Sequence, residues 1–177
     1  PVDPRSLLNL VETAAQQPLV LIVDDDADLC DSLWDILRER GFRVAITHNQ
    51  SAAAQALRGG GQDLVLIDLK LPGGSGADVF QTVRTSNPQA RVVLITGFRT
   101  ELQEVIDRAL AEGAHAVCYK PFDVPRLVGT IAELAHARDV VAGHHLGVLD
   151  AQPQVGPARR LDRVLVRVER GVDAGVA

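Results

Sequence analysis

The chain has 177 residues, 46% of them hydrophobic and 23% charged, which suits one globular domain with some excess and excludes a mostly disordered chain. The longest apolar run, Leu19 to Val23, is five residues, against the about 18–20 that a membrane span needs, and no basic stretch leads into an apolar one, so a cytoplasmic protein without a membrane span or secretion signal is expected. A net charge of -5 argues against a duplex-binding protein held by phosphate contacts.

Residues 1–17 carry one apolar patch, Leu7 to Val11, and then Gln16, Gln17 and Pro18, which reads as a lead-in helix or linker. Residues 18–138 read as five strand-then-helix units. The strand runs are Leu19–Val23, Phe42–Ile46, Leu64–Ile67, Val92–Ile95 and Ala116–Tyr119. Several are apolar at every position, as strands covered by helices on both faces must be. Between them lie helical stripes. Leu29, Leu33, Ile36 and Leu37 form the first, which stops at Gly41. Ser51 is expected to cap a second, running through Leu57 to the glycines 59–61. Val79, Phe80 and Val83 mark a third, and Leu102, Val105, Ile106 and Leu110 a fourth that ends at Gly113. Asp123 is the expected N-cap of a fifth, with Pro125 in its first turn. Residues 139–177 fit a strand and a helix equally well, and no structure is assigned there.

Strand and helix alternating five times give right-handed crossovers and an open parallel sheet, whose ligands bind outside the carboxyl ends of the strands. Asp24, Asp25, Asp26 and Asp28 follow the first strand. Asp68 follows the third, then Pro72 to Gly76. Thr96 and Gly97 follow the fourth, and Lys120 and Pro121 the fifth. Alone, each reads as a cap or a turn residue. Together they place carboxylates, a hydroxyl and an ammonium at one end of the sheet. Converging carboxylates repel one another and favour a divalent cation. A hydroxyl and an ammonium opposite them suit the oxygens of a phosphoryl group. The chain has 16 Arg and only two Lys, Lys70 and Lys120, so a lysine at the fifth strand end stands against a strong bias.

Leu21 to Asp25, Leu66 to Gly74 with Gly76, Leu94 to Gly97, and Tyr119 to Phe122 together resemble the receiver domain of two-component response regulators. The resemblance implies a flavodoxin-like α/β fold, a doubly wound parallel sheet in order 2-1-3-4-5. It implies Asp68 as the phosphoacceptor, with Thr96 and Lys120 holding phosphoryl oxygens. Asp25, Asp68 and the backbone carbonyl of Lys70 would be direct Mg2+ ligands, with Asp24 supporting them. It implies a cis bond between Lys120 and Pro121. The phosphoryl donor would be a histidine kinase or a histidine phosphotransfer protein, and the fourth and fifth helix face would suit a homodimer. Such a receiver is no enzyme toward other molecules; it catalyses only its own phosphorylation and dephosphorylation.

Three other readings compete. An aspartyl-phosphate phosphatase of the haloacid-dehalogenase type would need an acidic pair on a strand after Lys120, and none follows. Asp24, Asp26 and Asp28 copy the start of a calcium loop, but Leu29 and Asp35 stand where Gly and Glu are needed. A receiver-like module that is never phosphorylated would not need the full set of site residues. Cys30 and Cys118 read as free buried thiols, and His144 and His145 as solvated tail residues. The 39 residues from Asp139 are too few for a winged-helix effector, so no direct nucleic acid binding is expected. A stand-alone receiver and a piece of a larger regulator or hybrid kinase both stay open.

The sequence departs from its family at one point. Val117 stands three residues before Lys120, where the resemblance implies a switching aromatic. A β-branched side chain has few rotamers to exchange. The switch is therefore expected to run through Phe98 and Tyr119.

Overall fold

The structure is a computed structural model that describes residue 3, residues 16–136 and residues 147–149. Its elements run β1 (Leu19–Val23), α1 (Ala27–Glu39), β2 (Arg43–Thr47), α2 (Gln50–Arg58), β3 (Leu64–Asp68), β4 (Lys70–Leu71), β5 (Gly74–Ser75), α3 (Gly76–Ser86), β6 (Arg91–Thr96), α4 (Gln103–Ala111), β7 (Ala116–Tyr119), α5 (Val124–His136) and β8 (Gly147–Leu149). The main sheet has the order β2-β1-β3-β6-β7-β8, and every pairing in it is parallel. Its first five strands reproduce the expected order 2-1-3-4-5. The expected lead-in helix and the pair His144-His145 lie largely outside the described residues.

Successive side chains on a strand point to opposite faces, and the core divides accordingly. Leu21, Val23, Val65, Ile67, Val92, Leu94, Val117 and Tyr119 pack beneath α2, α3 and α4, against Leu57, Val79, Phe80, Val83 and Ile106. Val20, Ile22, Leu64, Leu66, Val93, Ile95, Ala116 and Cys118 pack beneath α1 and α5, against Leu33, Leu37, Leu127, Val128 and Ile131. Each fully buried Leu or Ile contributes about 1.5–3 kcal/mol. Two such layers hold the strand ends rigidly in line.

The helix starts differ from the sequence reading in one place. Asp26 caps α1 through Leu29 N–H, and Asp123 accepts from Arg126 N–H at 2.8 Å, as a cap of α5 should. In α2 the cap is Asn49, which accepts from Ala52 N–H at 2.9 Å, and not Ser51. Asn and Ser are near-equal caps, so two candidates two residues apart could not be ranked by type.

Two features lie beyond the sequence reading. Residues 70–75 form a small antiparallel hairpin, with Lys70 opposite Ser75 and Leu71 opposite Gly74. Pro72 and Gly73 make its turn, where Gly73 takes the positive φ of 67° that a side chain would resist. Within the tail, β8 pairs with β7 from Ala116↔Gly147 to Cys118↔Leu149.

Candidate functional site

The site lies at the carboxyl ends of β1, β3, β6 and β7. Carboxylate oxygens of Asp24, Asp25 and Asp68 all lie within 4.8 Å of one another. Asp24 is fully buried, Asp68 nearly so, and Asp25 is exposed. Lys120 crosses from the end of β7 to meet them. Its Nζ donates to Asp24 Oδ2 at 2.8 Å and to Asp68 Oδ2 at 2.7 Å. The Lys120–Pro121 bond is cis, as the resemblance implied.

The remaining oxygens are also engaged. Asp24 Oδ1 accepts from Asp26 N–H at 3.0 Å, and Asp68 Oδ1 from Lys70 N–H at 2.9 Å. The Nδ1 of His48 lies 2.9 Å from the backbone oxygen of Asp24. Burial pushes the Asp68 carboxyl above its ordinary pKa, against the opposing hydrogen bonds from Lys120 and Lys70. Burial alone would lower Lys120, but its bonds to the two carboxylates outweigh that and hold its pKa above the ordinary lysine value. The ammonium therefore stays charged.

Thr96 ends β6, fully buried, and its Oγ1 accepts from Phe98 N–H at 3.0 Å. That leaves the hydroxyl proton to donate elsewhere. Asp25, Asp68, Lys70, Leu71, Pro72, Gly97, Phe98 and Lys120 line an open cavity of about 390 Å³. Gly76 is held close beneath the acceptor strand: a Cβ there would meet Asp68 O at 2.1 Å.

Of the residues singled out from the sequence, Asp24, Asp25, Asp68 and Lys120 are brought together here, and the side chain of Lys70 lies at the cavity lining. Its Nζ lies 3.5 Å from the centroid of the Phe98 ring, over the cavity wall. Sequence reasoning used Lys70 only for its carbonyl, and it missed this pairing and His48. No spacing signal joins residues so far apart in the chain. The expected aromatic relay is split. Tyr119 is buried in the same cluster as Val117, while Phe98 is exposed and the guanidinium of Arg99 covers the Tyr119 ring at 4.3 Å.

The donor set fits a divalent cation. Hard oxygen ligands on two buried strand ends and one exposed carboxylate give a charged, open position of the kind that Mg2+ and Ca2+ take.

The response regulator receiver domain family matches residues 20–132. The chain belongs to the response regulator receiver family. Over 144 residues this receiver is 33% identical to the DNA-binding response regulator MtrA of Mycolicibacterium paratuberculosis, covering 81% of this chain and 62% of that protein. The chain thus spans about three fifths of that relative's length. A CheY-like receiver from Methanospirillum hungatei JF-1 superposes with a TM-score of 0.64 at 28% identity, covering 68% of this chain and 94% of that one. The response regulator TrrA of Thermotoga maritima, solved with Mg2+ and BeF, superposes at 0.59 and 25% identity, over 67% and 99% of the two chains. The expected flavodoxin-like fold is therefore that of receivers of two-component systems.

One expectation is corrected. Nucleic acid was not expected as a partner, yet the relative matched over 144 residues is named for DNA binding. Net charge and tail length describe only these 177 residues. This chain covers 62% of MtrA, so neither property speaks against DNA as a partner of a longer protein. Among the described residues no helix is long and apolar enough to cross a membrane.

Proposed function

We propose that this receiver takes a phosphoryl group from a histidine kinase, or a histidine phosphotransfer protein, onto Asp68 and then changes the shape of its α4–β7–α5 face. One observation carries the reading: Lys120 Nζ bridges Asp24 and Asp68, beside an exposed Asp25 at an open cavity. A carboxylate oxygen of Asp68 attacks phosphorus, a P–O bond forms, and the P–N bond to the donor imidazole breaks with its electron pair leaving on nitrogen. Burial makes that carboxylate the stronger base and so the better nucleophile.

The metal would be Mg2+, held by Asp25, Asp68 and the Lys70 carbonyl, with Asp24 behind them. When bound it neutralises charge on the transferring oxygens. Lys120 then turns from its carboxylate partners to a phosphoryl oxygen, and the Thr96 proton is donated to another. The chain's own groups thereby catalyse its phosphorylation and the later hydrolysis. Residues 18–138 would form the receiver unit, in the cytoplasm. The output partner of the whole protein would be DNA, as in the relative's name.

Incubation with acetyl phosphate and Mg2+ tests the reading. Intact mass should rise by one phosphoryl group, and Asp68→Asn should abolish the gain. An Asn variant that labels equally well would falsify the site.

A further inference from the structure

The hairpin that carries the Lys70 carbonyl is held from α2 by one side chain, Gln50 in its first turn. We propose that Gln50 is a positioning residue: it latches the β4–β5 hairpin and so sets the affinity of the site for its cation. This rests on the reading of the site given above.

The hairpin makes such a latch necessary. In an antiparallel pair, bonded residue pairs alternate with pairs that turn their N–H and C=O groups outward. Lys70 and Ser75 face one another and are of the second kind: Lys70 N–H donates to Asp68 Oδ1 and Ser75 N–H to Gln50 Oε1 at 3.1 Å. Ser75 has no carbonyl within the hairpin for its N–H, and Gln50 supplies the acceptor. The other end of the same amide donates, Nε2 to Asp78 Oδ2 at 3.3 Å, in the first turn of α3. Gln50 therefore ties α2 to both the hairpin and the helix that follows it.

Packing points the same way. Gly74 lies directly under Gln50: a Cβ at Gly74 would meet Gln50 Oε1 at 2.2 Å and Gln50 Cβ at 2.9 Å. The half-buried glutamine and the missing side chain at Gly74 fit one another. At the hairpin's inner end, Gly76 N–H donates to Leu69 O at 3.1 Å. With both ends held, the two-residue strand that bears the Lys70 carbonyl has little freedom left. Groups that orient metal ligands from behind typically change metal affinity by about 10–100-fold when removed. For a half-buried latch that is not itself a ligand the low end applies.

The test compares wild type with Gln50→Ala, Gly74→Ala, the double variant, and Gln50→Glu combined with Asp78→Asn. The last keeps an acceptor for Ser75 N–H and exchanges the donor and acceptor roles toward position 78. Without metal, Gln50→Ala should exchange its Ser75 amide hydrogen faster than wild type. Titrated with Mg2+ alone and followed by calorimetry, it should bind about tenfold more weakly. Labelling by acetyl phosphate should slow at low Mg2+ and return to the wild-type rate at saturating Mg2+. Gly74→Ala should do the same, the double variant should fall short of the product of the two effects because the sites touch, and the exchanged pair should recover affinity. A Gln50→Ala variant with wild-type Mg2+ affinity, beside a wild type that binds, overturns the latch alone. A wild type that ignores Mg2+ overturns the reading of the site and the latch with it.

Discussion

The ammonium of Lys70 lies 3.5 Å from the centroid of the Phe98 ring, and both residues line the cavity that Asp68 shares. One comes from the hairpin after β3 and the other from the loop after β6, so the contact joins two segments at the cavity that a phosphodonor or water would enter. An exposed cation–π pair contributes about 0.5–1 kcal/mol. Loss of the ring in Phe98→Ala should therefore shorten the life of the phosphorylated protein by about two- to fivefold. The decay of the phosphoryl mass increment after donor removal measures it, and an unchanged lifetime would count against the pair as a gate.

Mg2+ should stabilise the unmodified protein. Three carboxylates within 4.8 Å repel when alone, and a ligand that binds only the folded state at ten times its Kd adds about 1.4 kcal/mol. In a chain of this size that raises Tm by about 3–6 °C. Asp25→Ala should abolish the rise in a thermal melt with and without millimolar Mg2+. A retained rise would place the metal elsewhere.

Asp68→Asn should melt higher than wild type in metal-free buffer at neutral pH. Burial raises the folded-state pKa of Asp68 above its ordinary 3.8, so stability is lost as pH rises from about 3.8 to the folded value and the loss is complete above it. Below about 3.8 both states are protonated and the cost is absent. The advantage of Asn should therefore grow as pH rises from about 3.8 to the folded pKa and vanish in acid. Melts across that range would show a flat difference if the carboxylate were not desolvated.

Cys30 should resist alkylation in the native protein. Its thiol is fully buried, donates to the backbone oxygen of Asp24 at 3.4 Å, and is pushed by burial, then by Asp24, Asp26 and Asp31, from 9.0 to about 12. The thiol form that folding retains contributes stability in full below about pH 9, and that contribution is lost as pH rises toward 12. Iodoacetamide at pH 8.5, read by peptide mass, should label Cys30 only in denaturant. Rapid native labelling would be the contrary result.

The switch should depend on Tyr119 more than on Val117. Thr96 lies in register with Tyr119 across β6 and β7, and Arg99 stacks on its ring. Phe98 N–H already holds the Thr96 hydroxyl. Movement of Thr96 toward a phosphoryl group would thus pull on the loop that carries Phe98 and Arg99. Tyr119→Leu should remove the phosphorylation-induced amide shifts in α4 and α5, while Val117→Ala should keep them. The reverse pattern would make Val117 the coupler.

The sheet and its acidic end were legible because their signals are local. Val20 to Val23 are apolar at every position and buried on both faces; Asp68 and Thr96 end strands, and Asp24 and Lys120 directly follow them. What escaped depends on partners distant in sequence. Pro72 to Gly76 reads as a plain loop, since a two-residue strand has no periodicity, and its hold by Gln50 joins residues 25 positions apart. His48 meets Asp24 only because β2 lies beside β1. The tail strand shows no alternation over its three residues, so only its place in the sheet identifies it.

That tail strand alters what the molecule offers to other chains. A bare terminal strand presents a ladder of unpaired amides and carbonyls that any extended peptide can continue. Here β7 is followed in the sheet by β8, three residues long, and very short border strands are one of the ways by which proteins discourage uncontrolled growth of a sheet. Among the described residues, β7 therefore offers no open ladder to an extended peptide along the three positions that β8 covers.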